Sequence, residues 1–247
     1  GNLPLLTVSM LALARQPLLR LLSLLGLFAA LLGGCTSEST YRQAFIGLLQ
    51  ARIIDTQART VPALTADEKK RIGSDYAKHY AVIEDFNRSR PQPLAIPAIE
   101  LMREQDMFQA RYLLQSRDAL RSRQQELTQL QAALTANLAH ANAAHAALKQ
   151  PSSLKSVYAQ AYDLAVTQRA QTIQNSFTAL HDELGALQKL ADFMESNQLQ
   201  FSGIRIEAAN PAVQEQLNPL LRQLQAHSHA LALEKEKFYA VLREQMQ

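Results

Sequence analysis

The sequence has no tryptophan, one cysteine and eight glycines in 247 residues. Four of the glycines (Gly1, Gly26, Gly33, Gly34) fall at or before residue 34, leaving only Gly47, Gly73, Gly185 and Gly203 for the rest. One cysteine excludes an internal disulfide, so stability must come from apolar packing. The sequence contains no Gly-x-Ser-x-Gly elbow, no Ser-x-x-Lys with a partner motif of the lactamase type and no Gly-rich phosphate loop. Net charge is scarce too. Arg15 and Arg20 precede residue 35 with no acid beside them, and the remainder carries 23 basic against 22 acidic residues. That near-balance excludes the basic footprint of a nucleic-acid binder, and no nucleic-acid partner is expected. Long hydrophobic runs are missing as well. The uncharged segment from Leu21 ends at Ser37 and is interrupted by Gly33 and Gly34, which leaves it short of the roughly 20 apolar residues of a membrane span.

What is present begins with that segment. A basic stretch with Arg15 and Arg20, an apolar run over 21–32 and small residues before Cys35 make a secretory signal peptide. Leu32-Gly33-Gly34-Cys35 resembles the bacterial lipobox. The resemblance implies cleavage between Gly34 and Cys35 and acylation of Cys35, with several chains giving firm anchoring to a membrane. It makes residues 1–34 a removed leader, 35–40 a lipidated Cys with a short tether, and 41–247 one helical domain. Met10 is the expected initiator, giving a 25-residue leader. Thr36, standing where Asp would retain such a protein in the inner membrane, points to the outer membrane, with the domain facing the periplasm.

Beyond the leader the chain is rich in Ala, Leu, Gln, Glu, Lys and Arg, the composition of long helices. A first helix is expected over 39–60, with Phe45, Leu48, Leu49, Ile53 and Thr56 on one stripe and Val61-Pro62 ending it. A second is expected over 66–89, opened by the capping-box pair Thr65 and Glu68 and buried through Ile72, Tyr76, Tyr80, Ile83 and Phe86. After the turn 88–93, a third helix should run from Pro97 to about 149, with residues 98–108 open to being a separate short helix. Leu113, Leu120, Leu127, Leu134, Ala141 and Leu148 share a seven-residue register, which is coiled-coil-like. Pro151-Ser152-Ser153 makes a short connection, with either serine able to cap a fourth helix over 154–199, antiparallel to the third. Residues 200–209 read as an extended crossing or a short strand. Asn210-Pro211 opens the last helix, and Asn218-Pro219 either kinks it or separates off a short helix. The fold class is therefore all-α: an elongated antiparallel helical bundle with a long coiled-coil-like hairpin, after an N-terminal lipoprotein signal peptide.

Candidate chemistry is thin. His140 and His145 are five apart and His227 and His229 two apart, so neither pair has the i, i+4 spacing of metal ligands on a helix. His181, Asp182 and Glu183 are sequence neighbours that do not face one another. Tyr76, Tyr80, Phe86, Tyr158, Tyr162 and Phe177 sit at helical spacing and read as core, with an apolar cavity as the alternative. The runs 67–71 and 233–239 read as solvated charged faces. No metal, cofactor or catalytic residue is expected, and the chain reads as a non-enzyme.

YRQAFIGLLQ (41–50), the stretch 62–87, the stretch 141–162 and GIRIEAANP (203–211) together resemble the YiaF-like lipoproteins of Gram-negative bacteria, a family defined by a domain of unknown function. That resemblance implies an envelope lipoprotein and transfers no site residue. The expected function is a structural or interaction protein that presents helix faces or the 149–155 tip to an envelope partner. On this reading the 98–199 hairpin supplies the reach into the periplasm. A ligand-binding or chaperone-like bundle is the alternative.

Overall fold

The computed structural model describes residues 37–103 and 107–243. Cys35, Gly34 and the whole expected leader lie outside the described residues. The described chain is predominantly helical: α1 (37–49), α2 (Ala66–Asn87), α3 (Ala95–Arg103), α4 (Met107–Gln115), α5 (Arg117–Ala147), α6 (Ser152–Tyr162), α7 (Gln168–Ser196) and α8 (Pro211–Leu242). Among the described residues the only sheet is a two-stranded ribbon, β1 (Phe201–Ser202) with β2 (Arg205–Ile206). No described helix is long and apolar enough to cross a membrane.

The segment expected as a tether over 36–39 is helical from residue 37. α1 continues into a π-helical turn, Gln50–Ile54, and stops earlier than Val61-Pro62. Gln57 and Ala58 take positive φ of 53° and 51°, and the Ala58 N–H closes on the Ile53 carbonyl at 2.7 Å. Left-handed residues that satisfy the last carbonyls end a helix without help from proline.

α2 begins with the expected capping box. The Thr65 hydroxyl accepts from the Glu68 N–H and the Glu68 carboxylate from the Thr65 N–H, each at 3.1 Å. Glu68 is nevertheless no part of a solvated face. It is buried and pairs with Arg52 at 2.7 Å, which ties α2 to the π turn of α1. The Thr65 N–H, together with Arg52, holds its carboxyl below the ordinary range. Gly73 breaks the helical dihedrals inside α2 at φ 81°, ψ 160°, a break that periodicity did not show.

The single helix expected from Pro97 to about 149 is not continuous. Ser116 adopts an extended conformation and caps α5 by accepting from the Ala119 N–H at 3.2 Å. Its hydroxyl competes with the helical ladder for amides, the usual reason serine starts helices. Pro97 falls in the first turn of α3, where an absent N–H costs nothing. The seven-residue register is real as burial: Leu113, Leu120, Leu127, Leu134 and Ala141 are all in the core, with Leu148 half-buried.

α6 opens at Pro151 with no side-chain cap, so neither Ser152 nor Ser153 does the capping expected of it. α6 passes through a second π-helical turn, Asp163–Thr167, directly into α7. At 1.5 Å per residue the run from Ser152 to Ser196 is roughly 65 Å long. It is antiparallel to α5: Arg117 pairs with Asp192 and, at 2.5 Å, with Glu195, while far along the same pair the Tyr162 hydroxyl donates to Asn142 at 2.6 Å. α8 starts with the expected Asn210 cap, accepting from the Ala212 N–H at 2.9 Å, and runs unbroken through Pro219 back along α7.

One contiguous apolar core extends from Phe45 to Leu242, with a small satellite of Leu190, Met194 and Leu217 under the ribbon. Polar side chains buried within it bridge elements. Asn137 brackets the 88–93 turn, accepting from the Gln92 N–H and donating to its carbonyl, both at 2.8 Å. Asn87 donates to the Ala165 carbonyl at 2.9 Å, meeting the second π turn, whose widened ladder displaces carbonyls from their usual donors.

Candidate functional site

The described residues that combine aromatic rings, titratable groups and an open groove converge where α1, α2 and the α5–α6 connection meet. Three elements supply the rings. α1 contributes Phe45, α2 contributes Tyr76 and His79 at i, i+3 on one face, and the α5–α6 pair contributes His145, Tyr158 and Tyr162. Phe45 stacks on Tyr76 with centroids 5.4 Å apart, and Tyr76 meets His79 edge-on at 5.3 Å. His79 meets Tyr158 edge-on at 6.2 Å, and Tyr158 leads to His145 at 5.2 Å. His145 lies 4.1 Å from Tyr162. The geometry is the offset and edge-to-face packing that ring quadrupoles favour.

The phenol hydroxyls of this cluster and His79 Nδ1 have hydrogen-bond partners. The Tyr158 hydroxyl donates to the His79 carbonyl at 2.6 Å. The Gln150 amide donates to His79 Nδ1 at 3.1 Å, which leaves the ring proton on Nε2. The Tyr76 hydroxyl donates to the Glu38 carboxylate and the Tyr80 hydroxyl to the Pro62 carbonyl. Burial pushes the Tyr76 phenol up to about 12, with Glu38 adding to it, and the Tyr162 phenol to about 12; Tyr158 rises further. Burial lowers the pKa of both His79 and His145. Tyr76, His79, Tyr158 and Tyr162 are hydrogen-bonded rings in a packed wall, and His145 joins them by ring contact. None of them pairs a nucleophile with a base.

The outer side of this wall is an open groove of about 740 Å³, between the start of α1, the first half of α2 and the α5–α6 connection. Ser37, Glu38 and Tyr41 line it on one side, Ala147 to Lys149 and Pro151 on the other, with Gly73, Asp75 and Lys78 between. The Tyr41 ring lies over Gly73, so close that a Cβ there would sit 3.2 Å from it. The hairpin tip thus folds back beside the first described residues. It does not point away from them, as expected from the sequence.

The other candidates read from the sequence scatter. His140 is exposed while His145 is half-buried, so the two do not converge. His227 is half-buried and His229 exposed on α8. His181 and Asp182 do approach, to 3.7 Å, but on an exposed surface and beyond hydrogen-bond length. No group of three potential metal ligands forms among the described residues. Tyr80, Phe86, Tyr158, Tyr162 and Phe177 are themselves part of the packed core. Glu183, read as solvated, is buried. Burial raises its pKa, opposed by the Ser228 hydroxyl, Lys235, Arg123 and His227. Sequence reasoning missed this inlay, along with the roles of His79 and Arg169; it placed Phe45 on the buried stripe of the first helix but not in the ring cluster. The available signal was the position of Glu183 at i+3 from Leu180, on the apolar stripe.

The model of the family described as "Protein of unknown function (DUF3053)" matches residues 22–237. The chain belongs to this family. It is similar to "Uncharacterized protein YiaF" of Escherichia coli strain K12, 31% identical over 210 residues, which cover 81% of this chain and 85% of the relative. The YiaF proteins of Escherichia coli O157:H7 and Shigella flexneri match with the same identity and coverage. No solved structure matches the chain.

Proposed function

We propose that the protein is a bacterial envelope lipoprotein that acts by contact with another envelope component and not by catalysis. The observation that carries this reading is the sole cysteine, Cys35, directly behind Leu32-Gly33-Gly34 and a basic-then-apolar leader. The leader is removed, Cys35 is acylated, and residues 41–247 form one domain facing the periplasm, with Thr36 favouring the outer membrane. The helical start at residue 37 supports close seating on the bilayer, since one residue separates it from Cys35. The run through α6 and α7, antiparallel to α5 with a seven-residue apolar register, then serves as an elongated coiled-coil-like spacer. Because the 148–151 connection lies at the anchored end, the partner-contacting end is the opposite one. There Ile204, in the turn of the ribbon, is 68% exposed and Tyr112 is 55% exposed.

Two measurements test this. The Cys35→Ser protein should leave the membrane fraction, and retention there without acylation refutes the anchor. A photo-crosslinker in place of Ile204 should capture a defined envelope component that one in place of Lys155 does not; equal capture from both refutes the assignment of ends. A ligand-binding or chaperone-like bundle is the second reading, favoured by the open groove of about 740 Å³. Native mass spectrometry separates the two, because a soluble ligand would stay bound through detergent exchange.

A further inference from the structure

The groove beside α1 has a specific position relative to the anchor. Ser37 lines it, and Cys35 precedes Ser37 by two residues, so the two Cα atoms lie within about 7 Å of each other. A bilayer that holds an acylated Cys35 therefore lies close to Ser37, at the edge of this groove. Its lining suits that encounter. Tyr41, 42% exposed, stands at the mouth, and Ala147, Leu148 and Pro151 supply apolar surface opposite. Tyrosine is enriched at the level of lipid headgroups because its ring is apolar and its hydroxyl polar. Lys78 and Lys149 stand on the rim, and long lysine stems keep their ammonium groups in the polar layer while their methylenes lie along apolar surface. Of the two acids nearby, Glu38 accepts from the Tyr76 hydroxyl and pairs with Arg42 at 3.6 Å. Asp75 then stands against two lysines, and the rim keeps a small positive excess.

We propose that this groove is a membrane-seating site that takes the headgroup and glycerol region of a phospholipid from the anchoring leaflet. The lipid phosphate lies against Lys78 and Lys149, and Tyr41, Leu148 and Pro151 face the ester layer. The site rests on the reading of Cys35 as the acylated residue. Its consequence is orientation: the lipid on Cys35 fixes where the protein is held, and the groove fixes how it stands.

The absence of tryptophan makes the test direct. Tyr41→Trp introduces the only indole, and the lipidated full chain is reconstituted in vesicles of phosphatidylglycerol with phosphatidylcholine brominated at shallow acyl carbons. Emission should shift to the blue and be quenched about twofold, as for an indole at the interface. Tyr112→Trp, at the other end, should be unaffected. Adding Lys78→Glu and Lys149→Glu to Y41W should remove most of the quenching while the protein stays membrane-bound. A second probe guards against misfolding of Y41W: with Cys35 acylated, Lys149→Cys offers a single thiol for an environment-sensitive dye, which should report an apolar setting on vesicles. An unquenched indole and a water-exposed dye, with the acyl mass present on the N-terminal peptide, overturn the groove and leave the anchor standing. Equal quenching of Y41W and Y112W also overturns it, since the protein would then lie flat. If the N-terminal peptide carries no acyl mass, the anchor reading fails and the groove proposal with it.

Discussion

Arg169 holds three parts of the chain together, and its removal should show how much of the fold depends on one guanidinium. It lies in the first turn of α7 and is 5% exposed. One terminal nitrogen donates to the Ala58 carbonyl at 2.7 Å, in the turn that ends α1, and the other to the Val241 carbonyl at 2.6 Å, in the last turn of α8. A cation at the C-terminal end of α8 also meets the negative end of its dipole. Hydrogen bonds from a charged donor contribute about 1.5–3 kcal/mol each. Arg169→Met keeps the aliphatic stem and removes the cost of burying a charge, so the loss should fall near the lower sum, about 3 kcal/mol. Followed by far-ultraviolet circular dichroism of the protein, with a urea dependence near 2 kcal/mol per molar, the midpoint should drop by about 1.5 M. Arg169→Lys should recover less than half, because an ammonium cannot span two carbonyls as a planar fork does. Hydrogen exchange should speed up at the end of α8 before it does in α5. A midpoint change below about 0.3 M, or loss of protection spread evenly over α5 and α8, would refute this account of Arg169.

Other perturbations test other links. Gly73→Ala places a side chain at φ 81°, ψ 160° and 3.2 Å from the Tyr41 ring, and should cost about 1–3 kcal/mol in urea denaturation; adding Tyr41→Ala should relieve only the steric part. Burial holds the His79 pKa below 6.5, so below about pH 6.5 the unfolded chain binds more protons than the folded one, and stability should fall as pH drops from about 7.5 to about 5.5. His79→Gln should flatten that slope. His145 contributes in the same direction, and Glu183, whose raised pKa acts in the opposite sense, is common to both proteins and cancels in the comparison. Asn137→Ala removes two hydrogen bonds to Gln92 and should cost about 1–3 kcal/mol, with faster exchange at the Gln92 amide as its local signature.

Helix positions were legible wherever a period and a cap agreed. Thr65-x-x-Glu68 and Asn210-Pro211 mark real helix starts, and Gly203, at φ 66°, sits in the turn of the short ribbon foreseen at 200–209. Breaks made by residues other than proline were not legible. Ser116 divides the long third helix, and two left-handed residues, Gln57 and Ala58, end the first. Serine, glutamine and alanine are all tolerated inside helices, so only the contacts each break makes reveal it. The site was legible in part. Tyr76, Tyr158 and Tyr162 stood out as an apolar stripe. His79 and Phe45 joined them only through the packing of α1 and α2 against α6.

Local chemistry along the chain determined the helical class, most helix starts and the apolar stripes. These depend on periodicity, capping and composition within a few residues, which a sequence carries explicitly. Tertiary packing decided which polar residues are buried, and where the hairpin tip lies. Arg169 and Glu183 carry the same charges as their exposed neighbours, and only the carbonyls and hydroxyls brought from other helices make their burial tolerable. The tip at 149–155 reads from sequence as a free end. The Gln150–His79 contact and the groove shared with Ser37 bring it to the first described residues, because contacts between residues 71 positions apart are set by how helices cross and not by anything written near either one.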